Sequence, residues 1–458
     1  MTIGALAFSG APVRAESLAD ALIAAYRNSN LLDQNQALLR ATDENVAVAM
    51  SALRPVIDYT IQSSLLHSEF NSFNASFDPI TPYATTWNNT VQLSASMLLL
   101  DFGRSQLGIE ISREAVMSAR QALVSVEQDV LLAAVSAYVD VRLQAETVAL
   151  RQSNYRLITQ ELRASRDRFE VGEVTRTDVA QAEARLAAAK SGLAAAEGAY
   201  NLSRERYKAA VGHYPGNLSP LPRSPAIART LEAARSQALT THPAVRQLQH
   251  EVKGADLRVQ LAAAQMQPTL SGRATLNENF DDLTDGLDNQ SLSLSFNQTL
   301  YAGGRLSALY RQSLASQEAT RAGLHQVGVV VSENVGRAWG SLAIATASIE
   351  AGDQQINAAQ AAFDGVKEEA DLGSRTTLDV LDAEQTLLDA KATRLLAEAN
   401  RYVGVYSLLS TMGLLTAQDL NLGIPTYDPE AYYNAVKTAP AHSVQSEKLD
   451  RILKSIGN

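Results

Sequence analysis

Shifted by 201 residues, the sequence falls on itself. Gly103-Arg104 lands on Gly304-Arg305, Gly172 on Gly373, Asp178-Val179 on Asp379-Val380, and Ala182-Glu183 on Ala383-Glu384. Leu186, Lys190, Glu197 and Gly212 meet Leu387, Lys391, Glu398 and Gly413, and Tyr138 meets Trp339. Upstream the offset becomes 213, where Pro55 meets Pro268 and Asn30 meets Pro243. Chance does not hold one offset over so long a stretch, so the chain is two copies of one unit. The change of offset falls between Pro55 and Gly103 and gives the first copy a longer loop there. The copies span residues 16–212 and 231–422. A linker, 213–230, carries four prolines, and a tail runs over 423–458.

Each copy opens with a helical pattern, Ser17 to about Arg54 in the first, ended by a proline. Period-2 stretches follow. Ile57, Tyr59 and Ile61 alternate with Asp58, Thr60 and Gln62, and Val91, Leu93, Ala95, Met97 and Leu99 continue the same pattern. In the second copy Leu270, Ala274 and Leu276, then Leu292, Leu294 and Phe296, alternate with polar residues. These patterns predict four strands of about ten residues. Phe70, Phe73, Phe77, Tyr83 and Trp87 are placed in the loop of the first pair and Phe280 in that of the second. Strands of this length with flanking aromatics suit a transmembrane β-barrel, although the pattern alone suits a covered sheet equally well.

A long helix is expected from Gly103 to about Arg168, roughly 100 Å at 1.5 Å per residue. Leu123, Val126, Val130, Ala133 and Ala137 keep coiled-coil spacing, and Leu131, Val135 and Tyr138 form a second stripe beside them. The chain turns at Val171-Gly172, and another helix runs from about Asp178 to Val211. The two shorter helices of a copy, end to end, match the long one in length. Four strands cannot close a barrel, and lipid does not tolerate an open sheet edge. A membrane reading therefore requires several chains around one barrel, and three would leave room for a pore.

Composition removes other classes. There is no cysteine, hence no disulfide and no thiol chemistry. A net charge of -10 argues against nucleic acid as a partner. The six histidines do not cluster at ligand spacing, and Gly303-Gly304-Arg305 lacks the lysine and hydroxyl of a phosphate loop. No enzyme, metal or cofactor is expected. No segment approaches the ~18 apolar residues of a membrane-crossing helix. Residues 1–15 read as a signal peptide, with Val13-Arg14-Ala15 at the cleavage point.

The motifs at the turns carry a resemblance. Phe169 to Val179 and Asp371 to Ala383 are similar to the two hairpin tips of the TolC family of outer-membrane efflux and type I secretion proteins. Leu100 to Arg104 and Tyr301 to Arg305 resemble its strand-to-helix junctions, and the likeness covers residues 17 to 422. The resemblance implies a helix-dominated membrane protein built as a homotrimer. Four strands from each chain form a 12-stranded β-barrel in outer-membrane lipid, continued by a 12-helix barrel across the periplasm. It implies work with a periplasmic adaptor and an inner-membrane ABC or proton-driven transporter, in protein secretion or multidrug efflux. It also assigns roles. Asp379 and Asp382 ring the pore entrance; Arg375, Thr177 and Asp178 belong to the gate network; Val171, Gly172, Leu372 and Gly373 dock the adaptor. The family's gate tyrosine falls on Ala370. The lack of a lipid-bearing cysteine leans toward the secretion branch. A soluble periplasmic coiled-coil scaffold is the alternative.

Overall fold

The computed structural model describes residues 15–69, 71–80, 83–281, 289–439, 448 and 451. The expected signal peptide, apart from Ala15, lies outside them, as do Phe70, the side chain of Phe280 and most of the tail beyond Ala439.

The first copy contains α1 (Leu18–Asn28), α2 (Asn30–Ser51), β1 (Val56–Glu69), β2 (Ser72–Phe73), β3 (Pro79–Ile80), β4 (Tyr83–Leu100), α3 (Arg104–Glu170) and α4 (Arg176–Val211). The second contains α5 (Leu231–Thr241), α6 (Pro243–Ala264), β5 (Thr269–Asp281), β6 (Asn289–Asn297), α7 (Arg305–Asp371) and α8 (Thr377–Thr411), and α9 (Pro429–Val436) follows. The opening helix of each copy is two helices rather than one. Ser29 and His242 take extended backbone at the breaks. Each break receives the end of another helix. Asn28 Nδ2 donates to the Val211 carbonyl at 3.0 Å, closing α4. Thr241 Oγ1 donates to the Met412 carbonyl at 2.5 Å, closing α8. The next residues, Gly212 and Gly413, lie at φ +99° and +76°, where an L side chain is strained.

The chain divides into two compact units. One gathers the residues up to Ala37, Gln121–Arg246 and His325–Tyr427. Its main core joins α1, α3, α4 and α8 through Leu22, Leu131, Val135, Tyr138, Tyr207, Tyr402 and Tyr406. Burying such side chains stabilises the unit by about 2 kcal/mol each. The α3 helix does contain a stretch long and apolar enough to cross a membrane, against the sequence reading. Part of that stretch is buried in this core. Of the expected stripe, Val130 and Ala137 are buried, but Ala133 is exposed and Ala134 takes the inward position. The proline-rich linker is held in the same unit. Glu16 N donates to the Asn217 carbonyl and Ser219 N to that of Glu16, both at 2.8 Å, while Tyr138 Oη donates to Glu16 and Ser219.

The other unit comprises Leu38–Arg120, Gln247–Leu324 and the residues from Asp428 on. Its four-stranded sheet runs β1-β4-β5-β6, antiparallel at every pairing. The strands of the first copy are longer than expected, 14 and 18 residues. The extra residues of the first loop extend the ladder, so Tyr83 and Trp87 belong to β4 and Phe73 to β2. Cross-strand register sorts the side chains onto two faces. Ile57, Tyr59, Ile61, Leu93, Met97, Leu276, Leu292, Leu294 and Phe296 share one face and stay exposed. Thr60, Gln62, Gln92, Ser94, Ser96, Ser271, Thr275, Ser291 and Ser293 share the other. Where it is described, the tail is anchored to this unit. In α9, Asp428 caps the helix and Val436 is buried. Arg120 donates to the Pro429 carbonyl at 3.3 Å and lies over the Tyr433 ring, 5.3 Å from its centre.

Candidate functional site

The α3–α4 and α7–α8 turns are built alike. Gly172 and Gly373 lie at φ +79° and +78°. Each donates to the carbonyl three residues back, and Glu173 and Ser374 donate to carbonyls five residues back, at 2.9 Å in both turns. These bonds satisfy the last carbonyls of the incoming helices, and a left-handed glycine makes that geometry cheap. Val171 and Leu372, beside the glycines, are 71% and 83% exposed. Four of the residues expected to dock a partner are thus presented on two tight, solvent-facing turns.

The helices leaving the turns begin with capping boxes. The Thr175 and Thr376 side chains accept from the amides of Asp178 and Asp379, both at 3.3 Å. Each aspartate in return accepts from the threonine's amide and hydroxyl, at 2.8 to 2.9 Å. Such a box stabilises a helix start by about 1 kcal/mol. The bonds from Thr376 also hold the Asp379 carboxyl below the usual aspartate range, so it stays ionised. Thr177 sits exposed in the first turn of α4, with no side-chain hydrogen bond among the described residues. Arg375 Nε donates to Glu369 Oε2 at 2.8 Å within its own hairpin. Ala370, at the position of the family tyrosine, is buried with Phe363, Val380 and Leu387 between α7 and α8.

Links between the two hairpins come mostly from residues the sequence did not single out. Asp382 pairs with Arg185 of α4. Arg168 of α3 meets Asp371 of α7 at 2.9 Å. Both pairs are largely exposed and contribute ~1 kcal/mol or less each. A buried link lies behind them. Asn154 Nδ2 donates to Glu384 Oε1 at 2.6 Å, with both residues buried. The second oxygen, Oε2, has no partner among the described residues. Burial raises the Glu384 carboxyl from 4.5 to about 7. The Asn154 bond and Lys367 work against the shift, and Glu161 adds to it. Leu381 packs beside this link against Ile158, Leu162, Ala182 and Ala189. Among the described residues, no three His, Asp or Glu side chains converge as a metal site.

The missed residues carry one signal. The repeat matches Glu183 with Glu384, but its partners differ. Glu183 is exposed and pairs with Arg166 at 2.6 Å, whereas Glu384 is buried. Asn154, Arg168 and Arg185 correspond to Gln355, Glu369 and Thr386 in the second copy. At Arg168 and Arg185, though not at Asn154, the two copies differ in charge.

Two long hairpins with exposed, alike turns, and a sheet with an uncovered apolar face, now stand beside the comparisons with known proteins. The outer membrane efflux protein family model matches residues 22–213 and 234–414. The chain belongs to that family. The outer membrane efflux protein BepC of Brucella suis is 35% identical over 436 residues, covering 94% of this chain and 92% of its own. The protease secretion protein PrtF of Dickeya chrysanthemi is 26% identical, covering 91% and 92%. Among solved structures, the CmeC outer membrane channel of Campylobacter jejuni has a TM-score of 0.76 at 14% identity, covering 92% of this chain and 89% of that one. The outer-membrane channel OprN has a TM-score of 0.74 at 19% identity, covering 86% and 89%. These neighbours share the fold of long helices with four strands in each chain. This efflux protein is accordingly an outer-membrane channel component, and the soluble scaffold is set aside. Its family is one of channel proteins rather than enzymes.

Proposed function

We propose that three copies of this chain close one twelve-stranded barrel in the outer membrane, and that twelve long helices carry the channel across the periplasm. One observation supports this most directly: an exposed apolar sheet face bounded by two free edges. Leu292, Leu294 and Phe296 on β6 are 83%, 69% and 66% exposed, and Ile57, Tyr59 and Ile61 on β1 are similar. Lipid covers such a face, and pairing β6 of one copy with β1 of the next removes every edge. The hairpin turns are the entrance of the tunnel. Val171, Gly172, Leu372 and Gly373 dock a periplasmic adaptor, which engages an inner-membrane ABC or proton-driven transporter. Asp379 and Asp382 of three copies place six carboxylates around one axis and favour cations there. Arg375, Thr177 and Asp178 help hold the entrance closed. BepC, named for efflux, is the more similar of the relatives described, which supports small-molecule efflux as the first role; the match to PrtF supports protein secretion as a second.

Single-channel recording in a planar bilayer tests the reading, with a trivalent cation added on each side in turn. Small, steady, cation-preferring currents blocked from one side are expected. Absence of current from protein shown to be folded would overturn it.

A further inference from the structure

The polar face of the sheet carries serine, threonine, asparagine and glutamine, and hardly any charge. By register, Asp58, Arg273 and, at the end of β5 away from Ser271, Asp281 are the charged positions of this face. Arg273 stands at a particular place. A cavity of about 480 Å³ opens at the helix-proximal end of this face, lined by Arg54, Ser96, Ser271, Arg273, Ser293 and Ser295 among others. No carboxylate lines it.

Guanidinium groups are donors only, with five N–H bonds in a planar fork, and they match carboxylate and phosphate oxygens. Arg54 is already engaged, since its guanidinium donates to the carbonyls of Thr438 and Ala439. Arg273 is not: among the described residues its guanidinium has no carboxylate within ion-pair distance and no acceptor, and it is exposed to the cavity. Ser293 Oγ donates to the Arg273 carbonyl at 3.3 Å, which fixes the strand beneath the side chain. The hydroxyls of Ser96, Ser271 and Ser295 make no hydrogen bond among the described residues. The register explains the convergence. Ser96 and Ser293 are the cross-strand partners of Arg273 on its two sides, and Ser271 pairs with Ser295 one step along the same face.

We infer that this cavity is a binding site for an oxyanion, the carboxylate or phosphate group of a small anionic substrate, with Arg273 as its principal ligand. Arg54 adds positive charge, and the three free hydroxyls donate to the remaining oxygens. In a chain whose net charge is -10, a cavity holding two cations and no acid is a local reversal of sign. Binding needs only one chain. Its place in the export path rests on the channel reading above, in which the polar face lines the bore. Three such sites around one axis would then draw anions along a face made mostly of neutral hydrogen-bonding groups.

The test uses the purified full-length protein in detergent, titrated calorimetrically with inorganic phosphate, alongside channel recordings in phosphate and in chloride. The wild-type protein is expected to bind phosphate, and Arg273→Gln to weaken binding by about tenfold or more, the effect of losing a charge-assisted hydrogen bond. Arg273→Lys keeps the charge but loses the fork and should fall between the two. Arg273 is exposed and unpaired, so neither change should disturb the fold, which circular dichroism checks. Equal phosphate affinity in wild type and Arg273→Gln, or no binding by a folded wild type, would overturn the site. Phosphate binding by protein that never conducts would keep the site and refute the channel reading. Conductance without phosphate binding would do the reverse.

Discussion

Glu384→Gln isolates the buried link between the hairpins. In the folded protein burial raises this carboxyl to about 7, against 4.5 for the free side chain. The folded form therefore holds the proton over a pH range where the opened form has released it. Stability from this group is complete below about 4.5, and it is lost as pH rises through about 7. Between pH 5 and pH 8 the loss is about 2.5 kcal/mol, from 1.36 kcal/mol per unit of displacement. That corresponds to somewhat under a hundredfold in the equilibrium for local opening. The groups facing Glu384 are Asn154 and Glu161 of α3 and Lys367 of α7, and none is expected to cancel a change of this size. A glutamine keeps the acceptor for Asn154 and cannot ionise. Hydrogen exchange of the amides in the first half of α8, divided by the intrinsic rate at each pH, reads the opening directly. Wild-type amides should open more readily at pH 8 than at pH 5, and those of Glu384→Gln should show little pH dependence. Equal slopes in the two proteins would refute the reasoning.

Further outcomes follow from the same geometry. A methyl group at Gly413 would sit 2.7 Å from the His242 Cα and 2.8 Å from the Thr241 carbonyl, both backbone, whereas at Gly212 it would meet only the Asn28 side chain. Gly413→Ala should thus lower the unfolding midpoint more than Gly212→Ala, beyond the roughly 1 kcal/mol common to left-handed positions. Asp379→Ala removes a capping box and should cost about 1 kcal/mol as well as trivalent-cation block; Asp382→Asn should reduce block while the melting curve stays close to wild type. Leu294→Lys, on the apolar sheet face, should cost about 2–4 kcal/mol and deplete the protein from outer-membrane fractions, while Ser291→Lys on the polar face leaves its amount there unchanged.

The sequence carried much of this fold because its elements announce themselves by period. The strands of β5 and β6 and the helices α3, α4, α7 and α8 fall within a few residues of expectation. The break at Ser29 was not legible, since the helical pattern continues through it and its cause is tertiary, whereas at His242 the following Pro243 marks a helix boundary; each break accommodates the end of α4 or α8. The length of β4 was obscured for a related reason. Tyr83 and Trp87 look like loop aromatics until the partner strand supplies Glu69 and Leu65 opposite them. At the hairpin ends, the turn glycines and capping threonines were visible as local chemistry. Glu384 was not, because its meaning depends on burial against Asn154, 230 residues away in sequence. Arg185 and Arg168 were hidden likewise, since long-range charge pairs leave no spacing to find.

The two edges of the sheet have a consequence for inheritance. In the proposed ring, β1 is completed only by the β6 of a neighbour, so each copy is both donor and recipient of an edge. The junction is head-to-tail, and a head-to-tail ring closes only if every member is sound. A chain with a spoiled β6 but an intact β1 would still be recruited, and the ring it joined would stay open. Such an allele would harm a cell that also carries a good copy, whereas a chain too damaged to be recruited at all would do no such harm.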